Sequence, residues 1–135
     1  MAVDFSGKWL CTDIVGDMSE LMTKNGAGWA ARTAAKGMGY GKGRQTQDIT
    51  QDGDVFSIVN GGMGPGKTTS FTVGGGDQEL DSPSGVVQVN PVWNGSELDM
   101  QPSSGTSMKR YMEGDSMVLE VSHTGTVVKR KFTKQ

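Results

Sequence analysis

Met117-Val118-Leu119-Glu120-Val121 and Thr126-Val127-Val128-Lys129-Arg130-Lys131-Phe132-Thr133, separated by a turn at Thr124-Gly125, read as neighbouring strands of an antiparallel meander. Both are rich in β-formers and too short for typical helices, and the glycine permits a tight turn. The strand period of two places Val128, Arg130 and Phe132 on one face and Lys129, Lys131 and Thr133 on the other. An arginine therefore stands where a core residue is expected. Two strands upstream, Met108-Lys109-Arg110-Tyr111-Met112 repeats the pattern, with Arg110 between two methionines on its own face. An isolated buried charge is costly, so two inward arginines imply a water-filled interior or an anion bound there.

Working outward, turn signals recur through the second half at Ser84-Gly85, Asn94-Gly95, Ser104-Gly105, Glu113-Gly114-Asp115 and Thr124-Gly125. The interval of about ten residues is that of a β-meander. Upstream, Asp52-Gly53 and Gly74-Gly75-Gly76 delimit strands from Val55 to Val59 and from Thr68 to Val73, and Phe5 to Thr12 supplies a first strand. Asp17-Met18-Ser19-Glu20 breaks the pattern. A capping residue is followed three positions later by Glu, and Met18, Leu21 and Met22 share one helical face. This first short helix ends at Asn25-Gly26, and Trp29 to Lys36 forms a second, closed by Gly37. The layout is one strand, two short helices and about nine strands. So many strands with an apolar fraction of 34% are best closed into a barrel, which removes exposed edges and encloses a cavity.

The 135 residues fit one domain, 1–135. A formal net charge of −2 argues against general nucleic-acid affinity. The single cysteine, Cys11, cannot form an internal disulfide, and no His or Cys set of metal-ligand spacing accompanies it, so no metal and no cofactor are expected. A cytoplasmic location is expected, because the N-terminal residues lack the basic and apolar regions of a secretory signal. Gly61-Gly62-Met63-Gly64-Pro65-Gly66-Lys67-Thr68 fits the phosphate-binding pattern G-x-x-x-x-G-K-[ST]. That loop requires a helix to lead out, whereas Thr69-Ser70-Phe71-Thr72-Val73 alternates like a strand, so a glycine-rich hairpin is the stronger reading. His123 is the only histidine and no nucleophile is tied to it by spacing. Catalysis is not expected.

The chain resembles the intracellular lipid-binding proteins, the family of fatty-acid-binding and cellular retinoid-binding proteins. The likeness rests on Phe5-Ser6-Gly7-Lys8-Trp9, Gly26-Ala27-Gly28-Trp29-Ala30-Ala31-Arg32, Gly53-Asp54, Lys109-Arg110 and Val127-Val128-Lys129-Arg130-Lys131-Phe132, in that order and spacing. It implies an all-β fold: a ten-stranded antiparallel up-and-down clamshell barrel with a two-helix lid between the first and second strands. It also implies a lipid carboxylate held by two arginines and a tyrosine. Here the arginines are Arg110 and Arg130, while Phe132 stands at the tyrosine position and removes a hydroxyl donor. A second departure is the glycine-rich link Gly37-Met38-Gly39-Tyr40-Gly41-Lys42-Gly43-Arg44.

The expected function is therefore non-covalent binding and intracellular transport of a hydrophobic ligand by a monomer. A long-chain fatty acid comes first, and a retinoid, sterol, tetrapyrrole or other chromophore is the alternative; nucleotide binding through residues 61–68 is a weak third. Met22, Met100, Met108, Met112, Leu119 and Phe132 are candidate lining residues, methionine being adaptable. Trp29 belongs either to helix-to-barrel packing or to the portal, whereas Trp9 and Phe5 read as barrel-closing core. Without a ligand the arginines would need an acid, and Glu120 or Asp99 could supply one; parity leaves their direction open. Lys24, Arg32, Lys36, Lys42 and Arg44 gather positive charge on the lid and its exit, as a solvated face or as a transient contact with anionic membranes.

Overall fold

Ten strands, two helices and a 3₁₀ turn follow one another along the chain. They are β1 (Gly7–Val15), α1 (Met18–Lys24), α2 (Trp29–Gly37), the turn Gly39–Gly41, β2 (Thr46–Asp52), β3 (Val55–Gly61), β4 (Lys67–Thr72), β5 (Gln78–Ser82), β6 (Gly85–Asn94), β7 (Glu97–Pro102), β8 (Thr106–Glu113), β9 (Ser116–His123) and β10 (Thr126–Lys134). The computed structural model describes residues 3–24, 26, 28–62, 66–82, 85–102 and 106–135, without the side chains of 81–82, 85–87 and 101–102. The expected corners at Asn25, Ser84 and Ser104-Gly105, and the middle of the 61–68 loop, lie outside the described residues.

Each strand pairs antiparallel with its sequence neighbours, and β1 pairs with β10, giving the order β4-β3-β2-β1-β10-β9-β8-β7-β6-β5. This is the expected up-and-down clamshell barrel with its helices between the first and second strands. Closure is incomplete between β4 and β5, the two ends of that order. Gln78 spans this seam: its Oε1 accepts from the Thr72 amide at 2.8 Å and its Nε2 donates to the Thr72 carbonyl at 2.6 Å. One side-chain amide thus does for β4 what a neighbouring strand's peptide would do.

Several boundaries differ from the sequence-based expectation. β1 begins at Gly7 and runs on to Val15, because the register shifts between Cys11 and Asp13. A strict period of two would send Ile14 outward with Leu10; the bulge turns it inward to pair with Arg130. The second helix is not closed by a left-handed Gly37. Gly37 stays helical, Met38 caps the helix, and Gly39 (φ 62) is the first left-handed residue. β2 and β5 are not marked off in the sequence, because 46–52 and 78–82 are polar and poor in β-formers although turn signals flank both. The 61–68 segment joins β3 directly to β4, so a strand leads out where a phosphate-binding loop needs a helix.

The main core runs through the barrel interior, from Phe5, Trp9 and Phe56 to Leu119 and Phe132. Phe5, Phe56 and Phe71 are buried there with Trp93 packed against them, and the Phe56 and Phe71 rings stack at 5.0 Å. Trp9, 3% exposed, donates from Nε1 to the Phe5 carbonyl at 2.9 Å, in keeping with the expected barrel-closing role. At the helical end, Asp17 caps α1 by accepting from the Glu20 amide at 3.0 Å, and Met18 and Leu21 bury against Val128. Lys24 ties α1 to the β9–β10 corner through the Thr124 carbonyl at 2.9 Å. By contrast α2 buries no residue and is linked to α1 by Arg32 Nη1 on Thr23 Oγ1 at 3.0 Å. Among the described residues no helix is long and apolar enough to cross a membrane.

The passage from β1 into the lid depends on Gly16. Its φ is +113°, and a Cβ there would lie 2.4 Å from the Val127 carbonyl oxygen. Gly16→Ala is expected to destabilise the protein by about 1–3 kcal/mol through backbone strain. Urea unfolding followed by tryptophan fluorescence measures this, and an unchanged midpoint would contradict it.

Candidate ligand site

Strand register brings the two arginines to one row on the inner wall. Leu98 pairs with Arg110, Arg110 with Leu119, Leu119 with Arg130, and Arg130 with Ile14. Arg110 on β8 and Arg130 on β10 therefore flank Leu119 on β9, their Cα atoms roughly 10 Å apart across two strand spacings. Both side chains turn inward, as the alternation in their strands predicts.

Arg110 is 6% exposed. Its Nη1 donates to Gln47 Oε1 at 2.7 Å, across the interior on β2, and lies 3.2 Å from Met117 Sδ. Both partners are neutral. Burial without a counter-charge pulls the Arg110 guanidinium down to about 10, which still leaves it cationic at neutral pH. Gln47 is itself buried and passes the contact on, donating from Nε2 to Asn60 Oδ1 at 3.0 Å.

Arg130 is directed toward the lid. Its Nη2 donates to the Tyr40 carbonyl at 3.4 Å, and its Nε is buried without a partner among the described residues. Burial lowers its pKa, opposed by interaction with Cys11. The buried Cys11 thiol is in turn pushed up by burial, with Arg130 pulling the other way. Tyr40 has a left-handed backbone (φ 56) inside the glycine-rich link, which is fastened to β1 by Gly43 N–H on the Cys11 carbonyl at 2.7 Å. An open cleft of about 440 Å³ lies where β1 passes into the lid, lined by Ile14, Met18, Tyr40 and Lys42 among others. Neither arginine is among its lining residues, but two of those residues, Tyr40 and Ile14, are the hydrogen-bond and register partners of Arg130.

Neither acid considered as an internal partner reaches the arginines. Glu120 is on the outer face, 3.7 Å from Lys129 Nζ and accepting from Tyr111 at 3.2 Å. Asp99 shares that face, opposite Lys109. Among the described residues no carboxylate lies within ion-pair distance of Arg110 or Arg130.

The candidate lining residues fall into three groups. Leu119 and Met100 are buried in the main core, with Met108 and Met112 partly buried against it. Phe132 is fully buried between its register partners Cys11 and Met117, so its ring sits in packed core. Met22 packs with α1 against the smaller cluster around Val128. Trp29 stands apart from all of these, 74% exposed at the start of α2. His123 Nδ1 lies 2.9 Å from Thr106 Oγ1, a contact within the wall. Gln47, Asn60 and Met117 were missed in the sequence. An alternation of Gln47, Ile49 and Gln51 was the available signal for the first of them, but it is visible only once 46–52 is recognised as a strand.

No protein-family model matches the chain, and no curated protein sequence matches it. Solved structures do. Human cellular retinol-binding protein IV superposes with a TM-score of 0.84 at 22% identity, covering 98% of this chain and 99% of that one. The REP1-NXSQ fatty acid transporter gives 0.80 at 20% identity, covering 98% and 96%, and a mutant of it gives 0.81 at 21%, covering 98% of each. The chain thus has the fold of the intracellular lipid-binding proteins.

Proposed function

We propose that this protein is a non-enzymatic carrier that holds a long-chain fatty acid inside its barrel, with Arg110 and Arg130 binding the carboxylate. The observation that carries the reading is a pair of inward guanidinium groups on one wall with no acid beside either among the described residues. Burying a cation without a counter-ion costs several kcal/mol, and a ligand anion offsets that cost while filling donor positions. Leu119 between the arginines and Met108 and Met112 beside them offer apolar contact for the chain of an amphiphile. Of the similar structures, one is described as a fatty acid transporter, which favours the carboxylate; another is a retinol-binding protein, and with Phe132 in place of a hydroxyl it keeps a retinoid or other chromophore as the second reading.

Replacing a guanidinium that serves a ligand removes a charge-assisted contact to it, and in the empty barrel it gives up the bond to Gln47 together with an uncompensated buried charge. Arg110→Gln is therefore expected to weaken hexadecanoate binding by about 10–100-fold. The same change is not expected to lower the urea midpoint of the ligand-free protein, since it takes away an uncompensated buried charge. Isothermal titration and denaturation measure the two effects. Unchanged affinity would contradict the reading.

In this account the protein works as a cytoplasmic monomer, and the helices govern entry. Of the basic residues at that end, Lys24 pairs with Glu20 at 3.2 Å and Lys42 with Asp13 at 3.8 Å, while Lys36 and Arg44 have no ion pair among the described residues. With Trp29 exposed on the same lid, they suit transient contact with anionic membranes, each basic residue contributing up to about 1 kcal/mol near such a surface. Transfer of a fluorescent fatty acid to phosphatidylserine vesicles is expected to slow as salt is raised. Transfer insensitive to salt would remove the membrane contact from the account.

A further inference from the structure

We infer that Gln47 is a positioning and specificity-determining residue of the ligand site: it fixes the direction of the Arg110 guanidinium while leaving its charge uncancelled. The inference rests on the proposed reading of Arg110 as a carboxylate-binding group.

Gln47 on β2 and Asn60 on β3 are direct register partners, and Asn60 is in turn opposite Lys67 on β4. The three positions form one line across three strands. Along it run Arg110 Nη1 to Gln47 Oε1 at 2.7 Å, Gln47 Nε2 to Asn60 Oδ1 at 3.0 Å, and Asn60 Nδ2 to the Lys67 carbonyl at 3.4 Å. Arginine has only donors, so the Gln47 amide must present its oxygen to it. Its nitrogen must then face Asn60, whose oxygen receives that bond and whose nitrogen turns to the main chain. The cation at one end and the β4 carbonyl at the other leave both amides a single orientation.

This chain holds Arg110 across the barrel from the strand that bears it. A long side chain would otherwise sample many rotamers, and ordering it in advance lowers the entropic cost when a ligand head arrives. An acid at position 47 would hold Arg110 as well, but it would also neutralise it. A neutral amide positions the cation and leaves the missing negative charge to the ligand. Selectivity for an anionic head over an uncharged one therefore depends on position 47 as much as on Arg110.

The test measures hexadecanoate and methyl hexadecanoate binding by titration calorimetry on the full chain, and the quantity read is the ratio of the two affinities. In the natural protein the acid is expected to bind at least tenfold more tightly than the ester. Gln47→Glu places a carboxylate against Arg110 and is expected to bring the ratio close to one. Asn60→Ala leaves Gln47 against Arg110 but removes the acceptor that anchors Gln47 Nε2, so the pair is held less firmly and a several-fold fall in the ratio is expected; this variant also decides the matter if Gln47→Glu does not fold. A natural ratio in Gln47→Glu, or in Asn60→Ala where only that variant folds, overturns the inference while the carrier reading stands. If the natural protein binds neither compound, both fall.

Discussion

The hydrogen bond between Arg110 and Gln47 is the contact around which the interior is arranged. It joins β8 to β2 across the barrel at 2.7 Å and leaves a buried cation satisfied in geometry but not in charge. A fold that only needed stability would fill position 110 with an apolar residue, since buried charges seldom improve on good packing. The site is instead held one negative charge short, and Arg130 in the same row adds a second deficit. The barrel wall supplies the precision. Because register fixes which residues face each other, two arginines separated by one strand are held at a spacing that side-chain flexibility alone could not maintain.

The two ends of the barrel divide the work. At one end Phe5, Phe56, Phe71, Trp93 and Trp9 form a packed aromatic core that carries much of the burial. At the other, α1 is anchored by Met18, Leu21 and Lys24, while α2 buries nothing and leaves Trp29 in solvent. α2 thus has lower local burial than α1. Arg130 stands between the two regimes, reaching from the inner wall to the Tyr40 carbonyl of the lid's exit.

Much of this was legible in the residues. Alternation in 127–133 and 108–112 was enough to turn both arginines inward, because a strand with one buried face leaves little freedom in the direction of its side chains. Asp17 and Glu20 marked the start of α1, where capping is a local effect. What stayed hidden depends on long-range pairing. The bulge after Cys11 is set by the match of β1 to β10, so the inward turn of Ile14 could not be read from β1 alone. Gln47 looks like a surface residue in a polar segment and Asn60 like the polar end of an apolar strand, and only the register of β2 with β3 places them side by side. The outward direction of Glu120 and Asp99 likewise followed from pairing, and it removed the acids that might have balanced the arginines without a ligand.

The most direct test of the central claim is a pH titration of hexadecanoate labelled with carbon-13 at its carboxyl, bound to the protein and observed by NMR. A carboxylate held beside two buried guanidinium groups is expected to remain ionised well below the ordinary carboxylate range, because opposite charge stabilises the anion. A bound carboxyl that titrates as a free fatty acid does in water would place the head away from Arg110 and Arg130 and contradict the account.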